Sequence, residues 1–586
     1  MTSPGGYTAR THKHLMDRVL VLDADSDAAV EVIQSLGRAG AQIDACAPDD
    51  CLAFHSRYVS RRLRQPGIAD AVEFNVWIRS VYDAGNYQLV VPATERALRA
   101  LRRLSPADTI RVRAILAGDG AIDVALDKQR TWSLARSLAV PVPEAVLIES
   151  LDALPPVPAY PVALKTTSSL IVGRGAPVPG AVIIADGPEA RLAFLRTHLP
   201  HGPVQQQDYV AGHGVGVEFL YDRGHPVWHF AHERIHEGSL RGGASTYRRS
   251  IEAPPSVFTA ATRLLDELSW NGVAMVEFKV RASGQFHLME INPRLWGSLA
   301  LAIKAGVNFP LGLLRLAKGE PPGPQPHYRR NYYARDIKDD VFWQIANLRA
   351  DHSDPLLLTR PRLLTAAENL RPLIGTESWD HFDWRDLGVT ARSLRRVAGR
   401  LASLAKGALD RRRLAGRLRR AHRRQFDTPS TRANQIRQVL FVCYGNICRS
   451  PFGAEFARQR LPNHRVESAG LAEEEGRQTP QEIAELARVR GVELARHRSV
   501  RITGEHVRAA DLILVSDVEN LQSLLAVWPD AASRTTMLGL FAEPAVVSIP
   551  DPYGAPQAEA AHSLDLVASA VKGLSMWLDQ DKTTLP

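Results

Sequence analysis

In VLFVCYGNICRSP, Cys443 and Arg449 stand six residues apart, directly after a run of apolar, β-prone residues. That spacing suits a phosphate trap. A strand over Val439 to Val442 would deliver the thiol to a tight loop, Tyr444, Gly445, Asn446, Ile447 and Cys448, whose backbone N–H groups can curl around an anion. A helix opening near Ser450 and Pro451 would aim its positive end at the same point. The same field favours the thiolate, which makes Cys443 a nucleophile, and the Arg449 guanidinium can fork two phosphoryl oxygens.

A second concentration of chemistry lies in GVAMVEFKVRASGQFHLMEINPRLWGS, residues 272–298. Two alternating strands flank Ser283-Gly284, which reads as a two-residue turn. Pairing about that turn sets Glu277 opposite Glu290, with Asn292 on the same face two residues on. Facing carboxylates repel across a sheet. A hard dication relieves that repulsion, and Mg²⁺ held by the three side chains and by nucleotide phosphates fits the set, with Mn²⁺ as the alternative ion. Arg294, of the same parity, could reach a transferring phosphoryl group.

After the C-x5-R-S loop come SAG (Ser468 to Gly470), HRS (His497 to Ser499), ADLILVSD (Ala510 to Asp517) and DPYG (Asp551 to Gly554). With these, roughly residues 437 to 580 resemble the low-molecular-weight protein tyrosine phosphatase family. The resemblance implies that Cys443 forms a cysteinyl-phosphate, and that Asp551 protonates the leaving oxygen and then activates water, with no cofactor. It gives Ser450 a hydrogen bond to the thiolate, and gives Asn446, Ser468 and His497 the support of a strained loop. Tyr553 would be an aromatic wall for a phosphoaryl group. Cys448 matches a second cysteine able to trap an oxidised Cys443, or is a small apolar loop residue. Glu473, Glu474 and Glu475 stand where some relatives place an aromatic residue. Phosphotyrosine on protein is the substrate the resemblance implies; this departure from the family leaves a phosphorylated metabolite as the alternative.

Roughly residues 17 to 330 resemble the ATP-grasp superfamily, in the branch like carbamoyl-phosphate synthase and carboxylate-amine ligases. Besides the Glu277, Glu290, Asn292 set, the marks are Asp127-Lys128, YPVALK with Lys165, QQDYV and RGGAST. By this resemblance Lys128 and Lys165 contact ATP phosphates, and Gln207, Asp208, Tyr209 and Val210 form the hinge that reads adenine. Arg294 would stabilise an acyl-phosphate. His232, Arg234 and Arg241 would line an acceptor pocket, where arginine suits a carboxylate. The implied substrates are a small-molecule carboxylate and an amine. A nucleotide sensor that controls the phosphatase is the competing reading.

The 586 residues exceed one hydrophobic core, and their 45% hydrophobic content is ordinary for a soluble protein. Expected is an α/β multidomain chain: a disordered tail (1–16), a pre-ATP-grasp α/β domain (17–115), an α+β ATP-grasp domain (116–324) and a helical extension (325–390). A basic amphipathic linker (391–436) and an α/β phosphatase domain with a central parallel sheet (437–582) follow. The start has no apolar signal core, no run approaches a membrane span, and four cysteines without zinc spacing suit a reducing cytoplasm.

The formal charge of +9 is concentrated: residues 391–424 carry twelve Arg and one Lys against one Asp, leaving the rest slightly acidic. Leu394, Val397, Leu401, Leu404 and Ala408 draw one apolar stripe along that segment. It reads as a linker helix packed on a neighbour, a contact for anionic lipid, or a site for an acidic partner; no motif points to a specific nucleic acid.

Overall fold

The computed structural model describes residues 16–67, 71–157, 159–168, 170–171, 178–426, 433–555 and 557–579. Residues 1–15 of the expected tail, 172–177 of the segment following Lys165, and 427–432 of the expected linker lie outside these. The chain divides after Arg400 into two compact units.

The first unit opens on a parallel four-stranded sheet in the order Val59–Arg64, Gln42–Ala47, Arg18–Leu22, Leu89–Pro92. Continuous apolar runs make Arg18–Leu22 and the edge strand Leu89–Pro92, and the two inner strands are buried on both faces. Helix Asp27–Arg38 starts where the Ser26 side chain accepts from the Ala29 amide. An antiparallel four-stranded sheet follows, ordered Ala145–Ile148, Val204–Asp208, Val162–Thr166, Val182–Ala185.

The largest sheet has seven strands, in the order Phe286–Asn292, Gly272–Val280, His213–Asp222, His225–Ser239, Gly242–Ser250, Tyr333–Arg335, Glu377–Trp379. Its last two strands correct the helical reading of 325–390. Arg335 is buried between Glu377 and Asp340, at 2.8 and 2.5 Å. Short strands carrying paired charges do not show the apolar alternation by which strands are read. The 324 boundary therefore cuts the sheet.

Helix Leu387–Phe426 runs for 40 residues, longer than the expected basic segment. The linker boundary at 436 is also corrected, because Phe426, Ala433 and Ile436 are buried in the core of the second unit. These three apolar side chains reach that core although the sequence around them is polar.

The second unit is built on a parallel sheet ordered Arg465–Gly470, Gln438–Cys443, Leu512–Val515, Thr535–Met537. Cys443 ends a central strand, at the carboxyl edge where α/β proteins bind ligands. Among the described residues no single helix is long and apolar enough to cross a membrane.

Candidate active sites

Strand Gln438–Cys443 is buried from Val439 on, and helix Arg449–Arg458 begins six residues after the thiol. Between them the chain turns through Asn446, whose φ of 49° is left-handed and costly for a residue with a Cβ. Several bonds hold it there. Its Nδ2 donates to Ser450 Oγ at 2.9 Å and Ser468 Oγ at 3.0 Å, its Oδ1 accepts from the Val500 amide, and its carbonyl accepts from His497 Nε2 at 2.7 Å. Burial lowers the His497 pKa, which keeps the ring neutral with its Nε2 proton for that bond. Gly470 completes the seat: a Cβ there would stand 2.9 Å from the Tyr444 carbonyl oxygen.

Cys443 Sγ lies 3.0 Å from Ser450 Oγ and accepts from the Asn446 amide at 3.3 Å. Arg449 donates to Asp517 at 2.7 Å, to the Ile549 carbonyl at 2.9 Å and to Asp551 at 2.6 Å. The guanidinium is thus fixed by three acceptors, one of them the half-exposed Asp551. Asp517 was in a quoted motif without a role; it also caps helix Val518–Val527, a signal legible as Asp three residues before Asn520. Tyr444 and Tyr553 are exposed, Ile447 is buried, and the acidic run is exposed, with Glu475 accepting from the Arg501 amide. Gly445 packs against the Ile447 side chain. Burial, with Cys443 and Asp551 adding, raises the Cys448 thiol, so it stays protonated as a buried thiol.

In the first unit a cleft of about 900 Å³ gathers Lys128, Lys165, Gln207 to Val210, Glu277, Glu290, Asn292 and Arg294. Glu277 pairs directly with Glu290, and Met275 with Asn292. The route differs from the expected two-residue turn. The Gly284 amide donates to Arg281, and Gly284 has φ 84°, giving a three-residue loop, while a bulge at Met289 restores the pairing. Asn292 Nδ2 bridges the carboxylates at 3.2 and 3.1 Å.

Electrostatics separate the two acids. Burial pushes Glu277 up, opposed by Arg234 and reinforced by Glu290. Burial also opposes the charge of Glu290, yet Lys128 and Lys165 outweigh it and hold that acid below the usual range. Lys165 is pulled down to about 8 by burial, against the attraction of Glu290. The donors are hard oxygens around a carboxylate pair whose repulsion a dication would relieve, so the set fits Mg²⁺. No group of three His, Cys, Asp or Glu side chains suits a metal among the described residues, which leaves remaining ligands to nucleotide oxygens.

Lys128 opens helix Lys128–Ser137 behind its Asp127 cap. Gln207 and Asp208 end strand Val204–Asp208, while Tyr209 and Val210 leave it along the cleft. Arg234 bonds Glu277 directly, which puts it beside the carboxylate pair. The stem of Arg234 lies over Gly214, where a Cβ would meet its Cδ at 2.7 Å; the glycines of AGHGVGVEF therefore make room across the sheet. His232 is buried and lines the cleft, its Nδ1 held by Glu218 at 2.5 Å. Arg241 is exposed at the rim and pairs with Asp186 at 2.9 Å. Sequence reasoning missed Lys279 and Glu237, a 3.1 Å pair that also lines the cleft.

Residues 438–584 match the family model for low molecular weight phosphotyrosine protein phosphatase, and 207–339 match that for ATP-grasp in the biosynthetic pathway with Ter operon. The low molecular weight protein-tyrosine-phosphatase Etp of Escherichia coli is 36% identical over 119 residues, 20% of this chain and 79% of that protein. The probable low molecular weight protein-tyrosine-phosphatase EpsP of Ralstonia nicotianae is 32% identical over 143 residues, 24% of this chain and 94% of that one. Among solved structures, Vibrio vulnificus Wzb in complex with benzylphosphonate has 30% identity and TM-score 0.23, covering 24% of this chain and 98% of its own. The L-amino acid ligase from Bacillus licheniformis has 13% identity and TM-score 0.41, covering 53% and 75%. The chain belongs, through its C-terminal unit, to the low molecular weight protein-tyrosine-phosphatase family. In the first unit, residues 207–339 match an ATP-grasp model, so one polypeptide joins a phosphatase unit to an ATP-grasp segment.

Proposed function

We propose that the ATP-grasp module activates a small-molecule carboxylate as an acyl-phosphate that an amine captures, releasing phosphate, and that the second unit hydrolyses phosphotyrosine. The observation that carries the ligase reading is the Glu277–Glu290 pair bridged by Asn292. Those three side chains would hold Mg²⁺, which when bound supplies charge neutralisation for the nucleotide phosphates. Lys128 and Lys165 bind phosphate oxygens, Tyr209 and Val210 lie along the adenine edge, and Arg294 faces the acyl-phosphate. Arg234 and Arg241 line the cleft and would meet a substrate carboxylate by exchanging their present partners, Glu277 and Asp186.

In the phosphatase, Cys443 Sγ attacks phosphorus as the P–O bond to the leaving group breaks, and Asp551 gives that oxygen its proton. Asp551 then takes a proton from water as water displaces Sγ, and inorganic phosphate leaves. Loop amides and Arg449 bear the charge on the equatorial oxygens. The exposed rings of Tyr444 and Tyr553 at the mouth favour a phosphoaryl substrate over a small metabolite.

Glu290→Ala tests the ligase. Expected is loss of ATP-dependent ligation with ATP affinity retained within about tenfold, because the lysines still hold phosphate. Ligation at the parental rate would refute the metal assignment.

A further inference from the structure

About half of the strongly exposed large apolar side chains among the described residues fall between Leu348 and Leu409. Leu363 is 87% exposed, Leu373 83%, Ile374 73% and Trp384 69%, far more than isolated surface apolar residues require. Trp384 also carries the Arg385 guanidinium 4.8 Å from its ring, an apolar body with a cationic rim.

The basic helix continues this pattern. From Ala398 to Arg413 every residue but Gly407 is exposed, so among the described residues its apolar stripe is uncovered there. At 3.6 residues per turn, Leu394, Val397, Leu401, Leu404, Ala408 and Leu409 fall within a sector of about 140°, and Arg392, Arg395, Arg396, Arg400 and Lys406 fall opposite. An apolar face with cations on the opposite face is the form that lies in a lipid headgroup layer.

We infer that residues 392–409 of this helix form a peripheral attachment surface for an anionic lipid bilayer, with Leu401, Leu404 and Leu409 entering the acyl boundary and Arg392, Arg395 and Arg396 meeting lipid phosphates. A second copy of the chain is disfavoured, because two such helices repel. Nucleic acid would engage the arginines but leave the leucines and Trp384 without a partner, and no Phe, Tyr or Trp interleaves with the basic residues of 391–424.

Vesicle flotation of the full chain tests this. The parent protein is expected to float with vesicles of phosphatidylcholine and phosphatidylglycerol (3:1), to stay behind with phosphatidylcholine alone, and to be released at 1 M NaCl, where the Debye length is ~3 Å. That comparison stands without any variant. Arg392→Gln/Arg395→Gln/Arg396→Gln/Arg400→Gln should lower partitioning by more than about 100-fold, since each basic residue at an anionic surface contributes roughly fivefold. Leu401→Gln/Leu404→Gln/Leu409→Gln should lower it by about tenfold or more. Both variants should hydrolyse p-nitrophenyl phosphate at the parental rate, which checks folding of the C-terminal unit. Absence of flotation with the anionic vesicles, equal flotation with both kinds, or undiminished binding by the leucine variant would overturn the inference. The last result together with tight duplex DNA binding would assign the helix to nucleic acid instead.

Discussion

The two active sites are built in opposite ways. The phosphatase draws its nucleophile, its anion cradle and its arginine from one unbroken stretch, Cys443 to Arg449, while the ligase cleft collects side chains from Lys128 to Arg294 on several separate strands and helices. In the first, local spacing nearly fixes geometry, and the rest of the unit serves to hold Asn446 in its left-handed turn. In the second, geometry exists only once the seven-stranded sheet has brought Gly214, Arg234 and Glu277 into neighbouring positions. A contiguous site fails when one atom is lost, and a distributed site retunes.

The largest effect should come from the contiguous site. Cys443→Ser is expected to lower p-nitrophenyl phosphate hydrolysis by about 10⁴-fold or more, because no other group can take the phosphoryl. Residual hydrolysis within tenfold of the parent would break the contrast at its root.

Next comes the single catalytic group that lies outside the loop. Asp551→Asn should cut kcat about 10²-fold or more with phenyl phosphate and much less with p-nitrophenyl phosphate, whose leaving oxygen departs without a proton. Equal losses with both substrates would remove Asp551 from the acid role and leave it only as a partner of Arg449.

The smallest expected effect belongs to the distributed site. With Lys165 titrating near 8, its cation is present below that pH and is lost above it. ATP affinity should therefore weaken between pH 7 and 9, through a midpoint at or above 8 because bound phosphate favours the cation. Lys165→Arg should flatten that dependence, since arginine does not titrate there. Calorimetric ATP titrations at pH 7, 8 and 9 would show the same slope in both proteins if Lys165 makes no phosphate contact.

The same contrast explains what was legible in the sequence. The C-x5-R loop could be read because a strand, a thiol and a helix start in consecutive residues leave little freedom. Glu277 opposite Glu290 could be read from strand parity, although the loop has three residues and Met289 bulges; two departures cancelled at the position that mattered. Contacts across non-adjacent segments could not be read. Nothing in the spacing of Arg234 and Glu277, 43 residues apart, announces their bond, nor does that of Arg449 and Asp517, 68 apart. Strands Tyr333–Arg335 and Glu377–Trp379 escaped for a related reason: the buried charges of Arg335 and Glu377, 42 residues apart, satisfy each other. The Glu218 that holds His232 at the cleft could not be read either, because the two meet only across paired strands.

The central claim is that one chain holds two separable active sites. The most direct test incubates the parent protein, Cys443→Ser and Glu290→Ala with Mg²⁺, ATP and a metabolite extract of the expression host. Mass spectrometry then follows ATP-dependent products, while p-nitrophenyl phosphate hydrolysis is measured in parallel. The account predicts that Cys443→Ser forms a ligation product without hydrolysing the ester, and that Glu290→Ala hydrolyses the ester at the parental rate without forming the product. A ligation product from Glu290→Ala, or loss of both activities in either variant with the fold intact, would contradict it.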